Sequence, residues 1–185
     1  MILEARTLIL ILLYIKHHRD IMKTVGIIGY GRFGKVLDNL LSQHFNIKIY
    51  DPTLPSNTPN LTTQQKIATL DTLFIVVPIN QFEDCIKELA KNIQPNTTVI
   101  DTCSVKIFPC ATMLKYLPET TSLIATHPLF GPDSINYKFK LKIMMHNLRA
   151  SQKQYQFWTN FFTNNGFDIV EISPDEHDYH AAYSQ

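Results

Sequence analysis

An α/β fold built on a doubly wound, mainly parallel sheet is predicted by three observations. Short β-branched apolar runs alternate with stretches of helical periodicity through residues 23–172. Some of these runs are apolar throughout, as in Leu-Phe-Ile-Val-Val at 73–77, which fits strands covered on both faces. The first run, 24–28, leads into a Gly29-x-Gly31-x-x-Gly34 turn and then a helix with Phe33, Val36, Leu37, Leu40 and Leu41 on one face.

Each glycine of that turn has a physical task. The first permits a tight turn, the second lets backbone approach a pyrophosphate, and the third lets helix pack on strand. The helix start adds unpaired N–H groups and a partial positive charge, both suited to a diphosphate. A second strand, 47–50, ends in Asp51, 17 residues after Gly34 (51 − 34). An acidic residue near that spacing accepts hydrogen bonds from an adenosine ribose diol. Its charge would repel a 2′-phosphate, so NAD is favoured over NADP. The candidate cofactor residues are Gly29, Tyr30, Gly31, Arg32, Phe33, Gly34, Asp51 and Pro78. The competing structural reading is a strand–helix turn without a ligand and an ordinary loop aspartate.

Residues 52–63, rich in Pro, Thr and Asn, read as a loop. Run 73–77 is a strand ending at Pro78. Residues 81–92 are a helix, with Phe82, Cys85, Ile86, Leu89 and Ile93 at helical spacing. Strand 98–100 ends at Asp101, and Thr102-Cys103-Ser104-Val105-Lys106 is a strand-to-helix loop. Pro109 falls in or near the first turn of the helix carrying Met113 and Leu114. Strand 122–126 ends at His127, followed by the loop Pro128-Leu129-Phe130-Gly131-Pro132-Asp133-Ser134. Residues 141–145 are a strand. Helix 151–164 is capped by Ser151 and closed by Gly166, with Tyr155, Trp158 and Phe162 as a core stripe. Strand 168–172 precedes Ser173-Pro174-Asp175-Glu176, a helix start in which Ser173 caps and Glu176 closes a capping box. Parallel strands collect their carboxyl ends at one edge, so Gly29, Asp51, Pro78, Asp101 and His127 are expected along it, in a Rossmann-like arrangement.

The 185 residues suffice for one full domain with tails. Hydrophobic and charged contents of 45% and 18%, with net charge +1 and no basic block, exclude neither an enzyme nor a binding module. They point away from nucleic acid and membrane as partners. Cys85, Cys103 and Cys110 lack metal-type spacing and fit a reduced, cytoplasmic chain in which they pack. No metal is expected. Residues 1–22 read as an extension, or a packed helix, ahead of the domain. Their apolar run, 8–15, is far shorter than the ~20 residues of a membrane span. Met22, directly before the first strand, is a candidate natural start, and His17-His18 lacks further ligands. The domain organisation is therefore an extension (1–22), a dinucleotide-binding domain (23–172) and the start of a helical segment (173–185).

A dinucleotide on the strand-end edge invites hydride transfer, which needs a group to take a hydroxyl proton. Histidine suits that task near neutral pH. Of seven histidines, only His127 sits at a predicted strand end before a pocket-forming loop. A structural histidine is the alternative. Ser104 could orient a substrate hydroxyl or cap the next helix. Lys106 could meet a substrate carboxylate or be solvated.

Four stretches bring a resemblance into view: Gly26-Ile-Ile-Gly-Tyr-Gly-Arg-Phe-Gly34, Asp101-Thr-Cys-Ser-Val-Lys106, His127-Pro-Leu-Phe-Gly-Pro-Asp-Ser134, and Glu176-His-Asp178 with Ala182-Tyr-Ser-Gln185. In this order they resemble the nucleotide-binding domain of the prephenate/arogenate dehydrogenase family, over residues 23–185. The resemblance implies an NAD-dependent oxidative decarboxylation in tyrosine biosynthesis. It implies His127 as the catalytic histidine on the ring hydroxyl, Ser104 beside both, and Ser184 near the substrate. It also implies a helical domain beyond Gln185 that dimerises and supplies a histidine and a carboxylate-binding arginine. The four arginines here (Arg6, Arg19, Arg32, Arg149) offer no obvious replacement for the latter. A truncated form of the enzyme is thus expected, with a homodimer only where that helical domain is present. The alternative is a non-catalytic dinucleotide-binding module. A β-hydroxyacid dehydrogenase is disfavoured, because it would need a catalytic lysine on a later helix.

Overall fold

The computed structural model of the protein describes residues 23–133 and 140–184. The elements are β1 (Thr24–Ile28), α1 (Arg32–Leu41), β2 (Asn46–Tyr50), α2 (Gln64–Ile67), β3 (Thr72–Ile75), α3 (Ile79–Ala90), β4 (Thr98–Asp101), α4 (Ile107–Tyr116), β5 (Ser122–Pro128), β6 (Lys142–Arg149), α5 (Gln152–Asn164), β7 (Asp168–Glu171) and α6 (Pro174–Ser184). The strands form one sheet in the order β2-β1-β3-β4-β5-β6-β7. Strands β1 to β5 are mutually parallel. Strand β6 runs antiparallel to β5, and β7 runs parallel to β6. The predicted doubly wound, mainly parallel, Rossmann-like fold is therefore the observed one. The reversal at β6 was not predicted, because an apolar run carries no sign of its direction.

The fully apolar strands follow from burial on both faces. Ile27, Phe74, Ile100 and Ile124 pack toward Leu37 and Leu41 of α1 and Tyr155, Trp158 and Phe162 of α5. Their neighbours Ile28, Leu73, Ile75, Val99 and Leu123 pack toward Ile67 of α2, Phe82, Ile86 and Leu89 of α3, and Met113 of α4. Successive residues thus serve opposite layers. The Trp158 ring meets Phe74 edge-on at 5.1 Å, so the α5 aromatics are core as expected. The predicted caps also form. The Ser151 hydroxyl accepts from Gln154 N, and the Ser173 hydroxyl accepts from Glu176 N at 3.2 Å.

Several boundaries differ from the sequence reading. Helix α3 begins at Ile79, directly after Pro78, whose fixed φ of −55° suits a residue flanking a helix start. The short helix α2, capped by the Thr63 hydroxyl, had no periodicity long enough to reveal it. Strand β5 runs on to Pro128, so His127 lies within it, opposite Met144 of β6. The apolar run 8–15, His17-His18 and Met22 lie outside the described residues, as do Ser134 and Gln185. Among the described residues no helix is long and apolar enough to cross a membrane, and no cluster of His, Cys, Asp or Glu could hold a metal.

Candidate functional site

The chain leaves β1 for β2 on one side and then crosses back over β1 to β3 on the other. Such a switch point leaves a crevice beyond the strand ends. Here it is a cleft of about 860 Å³. All the predicted cofactor residues line it except Tyr30. Tyr30 braces the turn instead: its N–H donates to Asp51 Oδ2 at 2.8 Å and its hydroxyl to Asp38 at 2.5 Å.

The three glycines of the turn answer to different constraints. Gly29 has φ +95°, and a Cβ there would lie 2.5 Å from the Val76 carbonyl oxygen. A Cβ on Gly34 would lie 2.4 Å from the Gly29 carbonyl oxygen. Both are required by the strand–turn–helix itself. Gly31 is different. Its φ of −68° is open to any residue, and a Cβ there would meet nothing within 4 Å. The fold does not need glycine at 31, whereas a ligand lying against that backbone would. The first turn of α1 also lacks acidic residues, and its N-cap makes no side-chain hydrogen bond. Gly34→Ala is expected to destabilise the fold by about 1–3 kcal/mol through overpacking. Gly31→Ala should change stability by less than about 0.5 kcal/mol and weaken dinucleotide binding by at least about tenfold. Thermal melts and calorimetric titration of the two variants check this. Equal binding by Gly31→Ala and the unsubstituted chain would remove the ligand reading of the turn.

Asp51 stands at the cleft wall just past β2. Its Oδ1 accepts from Thr53 N at 2.9 Å and Thr53 Oγ1 at 2.7 Å. Burial acts to raise its pKa, but the bonds from Thr53 and Tyr30 outweigh it and hold the carboxyl below the usual carboxylate range. Asp51 is therefore ionised at neutral pH, and it stays so while also tying down the glycine turn. Arg32 of that turn forms a two-pronged ion pair with Asp133, at 2.6 and 2.7 Å, linking it to the loop after β5. Both groups are largely exposed, so the pair adds at most about 1 kcal/mol.

The ends of β4 and β5 carry the titratable groups. His127 Nδ1 is 2.8 Å from His177 Nε2, and His177 Nδ1 is 2.7 Å from Asp178 Oδ1. Asp178 in turn accepts from Lys106 N at 2.7 Å and Ile107 N at 2.9 Å, so a carboxylate on α6 caps α4. Its pKa, which burial tends to raise, is held below the usual range by these bonds and by His177. His127 is half-buried. Burial, with His177 and the Lys106 charge nearby, pushes its pKa down to about 4 against the pull of Asp178. The ring is neutral at physiological pH.

The structure corrects two readings of the Thr102–Lys106 loop. Lys106 neither reaches a carboxylate ligand nor sits in solvent. Its side chain is fully buried, its ammonium paired with Asp101 and donating to the Thr126 carbonyl oxygen at 2.5 Å. Asp101, also fully buried, accepts from Cys103 N and Thr126 N, each at 3.1 Å. Ser104 does not cap α4, whose N-cap is Lys106 and whose first N–H groups go to Asp178. Ser104 is exposed and lines the cleft. Ser184 ends α6, and its side chain lies outside the described residues. Cys85, Cys103 and Cys110 all have thiols pushed up to about 12, foremost by burial, as packing residues should.

A family model described as "Prephenate dehydrogenase, nucleotide-binding domain" matches residues 57–141. Arogenate dehydrogenase 2, chloroplastic, of Arabidopsis thaliana is 28% identical over 181 aligned positions, covering 87% of this chain and 49% of that protein. The chain is similar to the prephenate/arogenate dehydrogenases, and the matched model covers its residues 57–141. The chain spans about half the length of that curated relative. Among solved structures, prephenate dehydrogenase from A. aeolicus, in complex with hydroxyphenyl propionate and NAD+, superposes with TM-score 0.71 at 20% identity, covering 86% of this chain and 63% of that one. Synechocystis arogenate dehydrogenase gives TM-score 0.72 at 17% identity, with the same coverages. At such identities these two show the shared fold.

Two parts of the site escaped the sequence reading. The Asp101–Lys106 pair had a visible signal, two opposite charges five positions apart between apolar segments, but nothing in the sequence said that both point inward. His177 and Asp178 stood in a recognised stretch without an assigned role, because their partners lie 50 and 72 positions away.

Proposed function

We propose that the chain is the NAD-binding part of an enzyme that oxidatively decarboxylates prephenate or arogenate, with His127 as the catalytic base. The observation that carries this reading is an imidazole on the same strand-end edge as a glycine turn whose middle glycine is open to a ligand. Gly29, Gly31, Arg32, Phe33, Gly34 and Pro78 hold the dinucleotide, Tyr30 braces the turn, and Asp51 receives the ribose diol. NAD, when bound, accepts the hydride leaving the hydroxyl-bearing ring carbon. His127 takes the hydroxyl proton, Ser104 orients that hydroxyl, and Ser184 lies at the substrate side. As the carbonyl begins to form, the ring carboxylate leaves as carbon dioxide and its bonding pair completes the aromatic ring. Aromatisation supplies the driving force, so the protein mainly orients and polarises. The ionised Asp51 would face a 2′-phosphate, which supports NAD over NADP.

Residues 23–172 act as the dinucleotide domain in this reading, and 173–185 begin the segment that meets substrate. The partner is a small molecule, and the expected setting is the cytoplasm. Titration with NAD+ and NADP+, followed by an absorbance assay of NADH formation with each substrate, tests it. NAD+ should bind at least about tenfold more tightly than NADP+, the equivalent of 1.4 kcal/mol. Failure to bind NAD+ would sink the proposal. Binding with no turnover of either substrate would leave a dinucleotide-binding module.

A further inference from the structure

We propose that Asp178 and His177 are positioning residues that hold His127 in one tautomer, with hydrogen on Nδ1 and a bare lone pair on Nε2. The assignment follows link by link from the ends that cannot vary. Asp178 receives two backbone N–H groups at the start of α4, Lys106 N at 2.7 Å and Ile107 N at 2.9 Å. Those donors and the positive end of the helix favour its ionised form, and an ionised carboxylate can only accept. The hydrogen in its 2.7 Å contact with His177 therefore sits on His177 Nδ1. A neutral His177 then offers Nε2 as an acceptor. The 2.8 Å contact to His127 Nδ1 requires that nitrogen to donate. His127 Nε2 is left unprotonated.

Burial makes this direction matter. His177 is 4% exposed, so water competes little for its ring nitrogens. His127 Nε2 makes no hydrogen bond to a described residue. Among those residues Thr121 Oγ1 is the one buried side-chain polar atom without a partner, so Nε2 is not sealed in the interior. The reverse direction would put hydrogen on Nε2 and leave His127 unable to accept a proton there. When Nε2 takes a substrate proton, Nδ1–H goes on donating to His177, and the new positive charge faces Asp178 through one imidazole. That use of the lone pair rests on the function proposed above, whereas the tautomer itself does not.

Two-bond proton–nitrogen correlation spectra of the ¹⁵N-labelled chain, without ligand and near neutral pH, read the tautomers directly. His127 and His177 should both show a protonated Nδ1 and an unprotonated Nε2, assigned through the signals lost in His127→Gln and His177→Gln. A His127 ring protonated at Nε2 overturns the proposal. In Asp178→Asn the side-chain amide can donate to His177 Nδ1 and reverse the chain, so the His127 signals should move toward the Nε2–H form. A folded Asp178→Asn protein with unchanged His127 tautomer would remove Asp178 from the role. If that variant does not fold, the spectra of the unsubstituted chain decide. In a turnover assay Asp178→Asn should lower kcat by about 10²–10⁴-fold, with KM for NAD unchanged. The expected tautomer without turnover by the unsubstituted protein would count against the proposed dehydrogenase and leave this inference standing.

Discussion

Turnover should disappear in His127→Asn, with kcat lowered by about 10²–10⁴-fold, the usual contribution of a positioned general base. NAD affinity should stay within a few-fold of the unsubstituted protein. Asparagine fits the space and can still reach His177, but it cannot take up a proton. His127 is not among the residues lining the dinucleotide cleft, so binding has no direct reason to suffer. Steady-state kinetics with prephenate and arogenate, beside a calorimetric NAD+ titration, separate the two effects. A variant that kept its rate would show that another group takes the proton.

The pH profile has a defined sign. In the proposed role His127 works deprotonated, so activity should fall as pH drops through its pKa. Burial has pushed that value from 6.5 to about 4, so the acid limb should lie well below the ordinary histidine range. The same shift couples to folding. Between about 6.5 and 4 the unfolded chain binds a proton that the folded chain does not, so stability falls as pH falls through that window. Circular dichroism across the range distinguishes lost base from lost fold. An acid limb at or above the ordinary value in a folded protein would argue against His127.

The largest stability effect is expected at the buried ion pair. Removing one partner, by Asp101→Asn or Lys106→Met, should cost about 3–5 kcal/mol. Both side chains are fully buried, so whichever charge remains has no water to replace its partner. In Lys106→Met the remaining group is a carboxyl that burial already pushes toward its protonated form, with Lys106 foremost among the groups resisting. A carboxyl whose folded pKa is raised destabilises the fold as pH rises above its unfolded value. Lys106→Met should therefore lose more stability at neutral pH than near pH 4. Denaturant unfolding at both values checks the sign. Asp101→Asn combined with Lys106→Met removes both charges and should recover part of the loss, since the two substitutions share one interaction. Additive losses in the double variant would show that the pair is not coupled.

This pair also bears on the site. Lys106 ties the β4–α4 loop to the β5 backbone at Thr126, one residue before His127. Its own N–H belongs to Asp178. A change at Lys106 should therefore disturb His127 through the loop and through α6, and kinetics measured on folded single variants would detect this.

Much of the architecture was legible because its causes are local. The apolar runs at β1, β3 and β4 must be covered twice, and strand alternation shows how: Ile27 and Ile28 serve opposite layers, as do Val99 and Ile100. The glycine spacing prescribes a turn that Gly29 and Gly34 prove to need sterically. Capping at Ser151 and Ser173 was readable because donor and acceptor are three residues apart. The direction of β6 was not readable, since the same apolar residues satisfy either pairing.

The sequence by itself determined the alternation of strands with the longer helices, the glycine turn, and which strand ends would share an edge. Only the tertiary structure decided what the charged and titratable side chains do there. It turned Lys106 inward onto Asp101, moved the cap of α4 from Ser104 to Asp178, and set His177 against His127. The physical reason is range. Periodicity and turn chemistry act over a few residues, whereas a buried charge or a histidine tautomer is set by partners that meet only after the sheet has brought distant segments together.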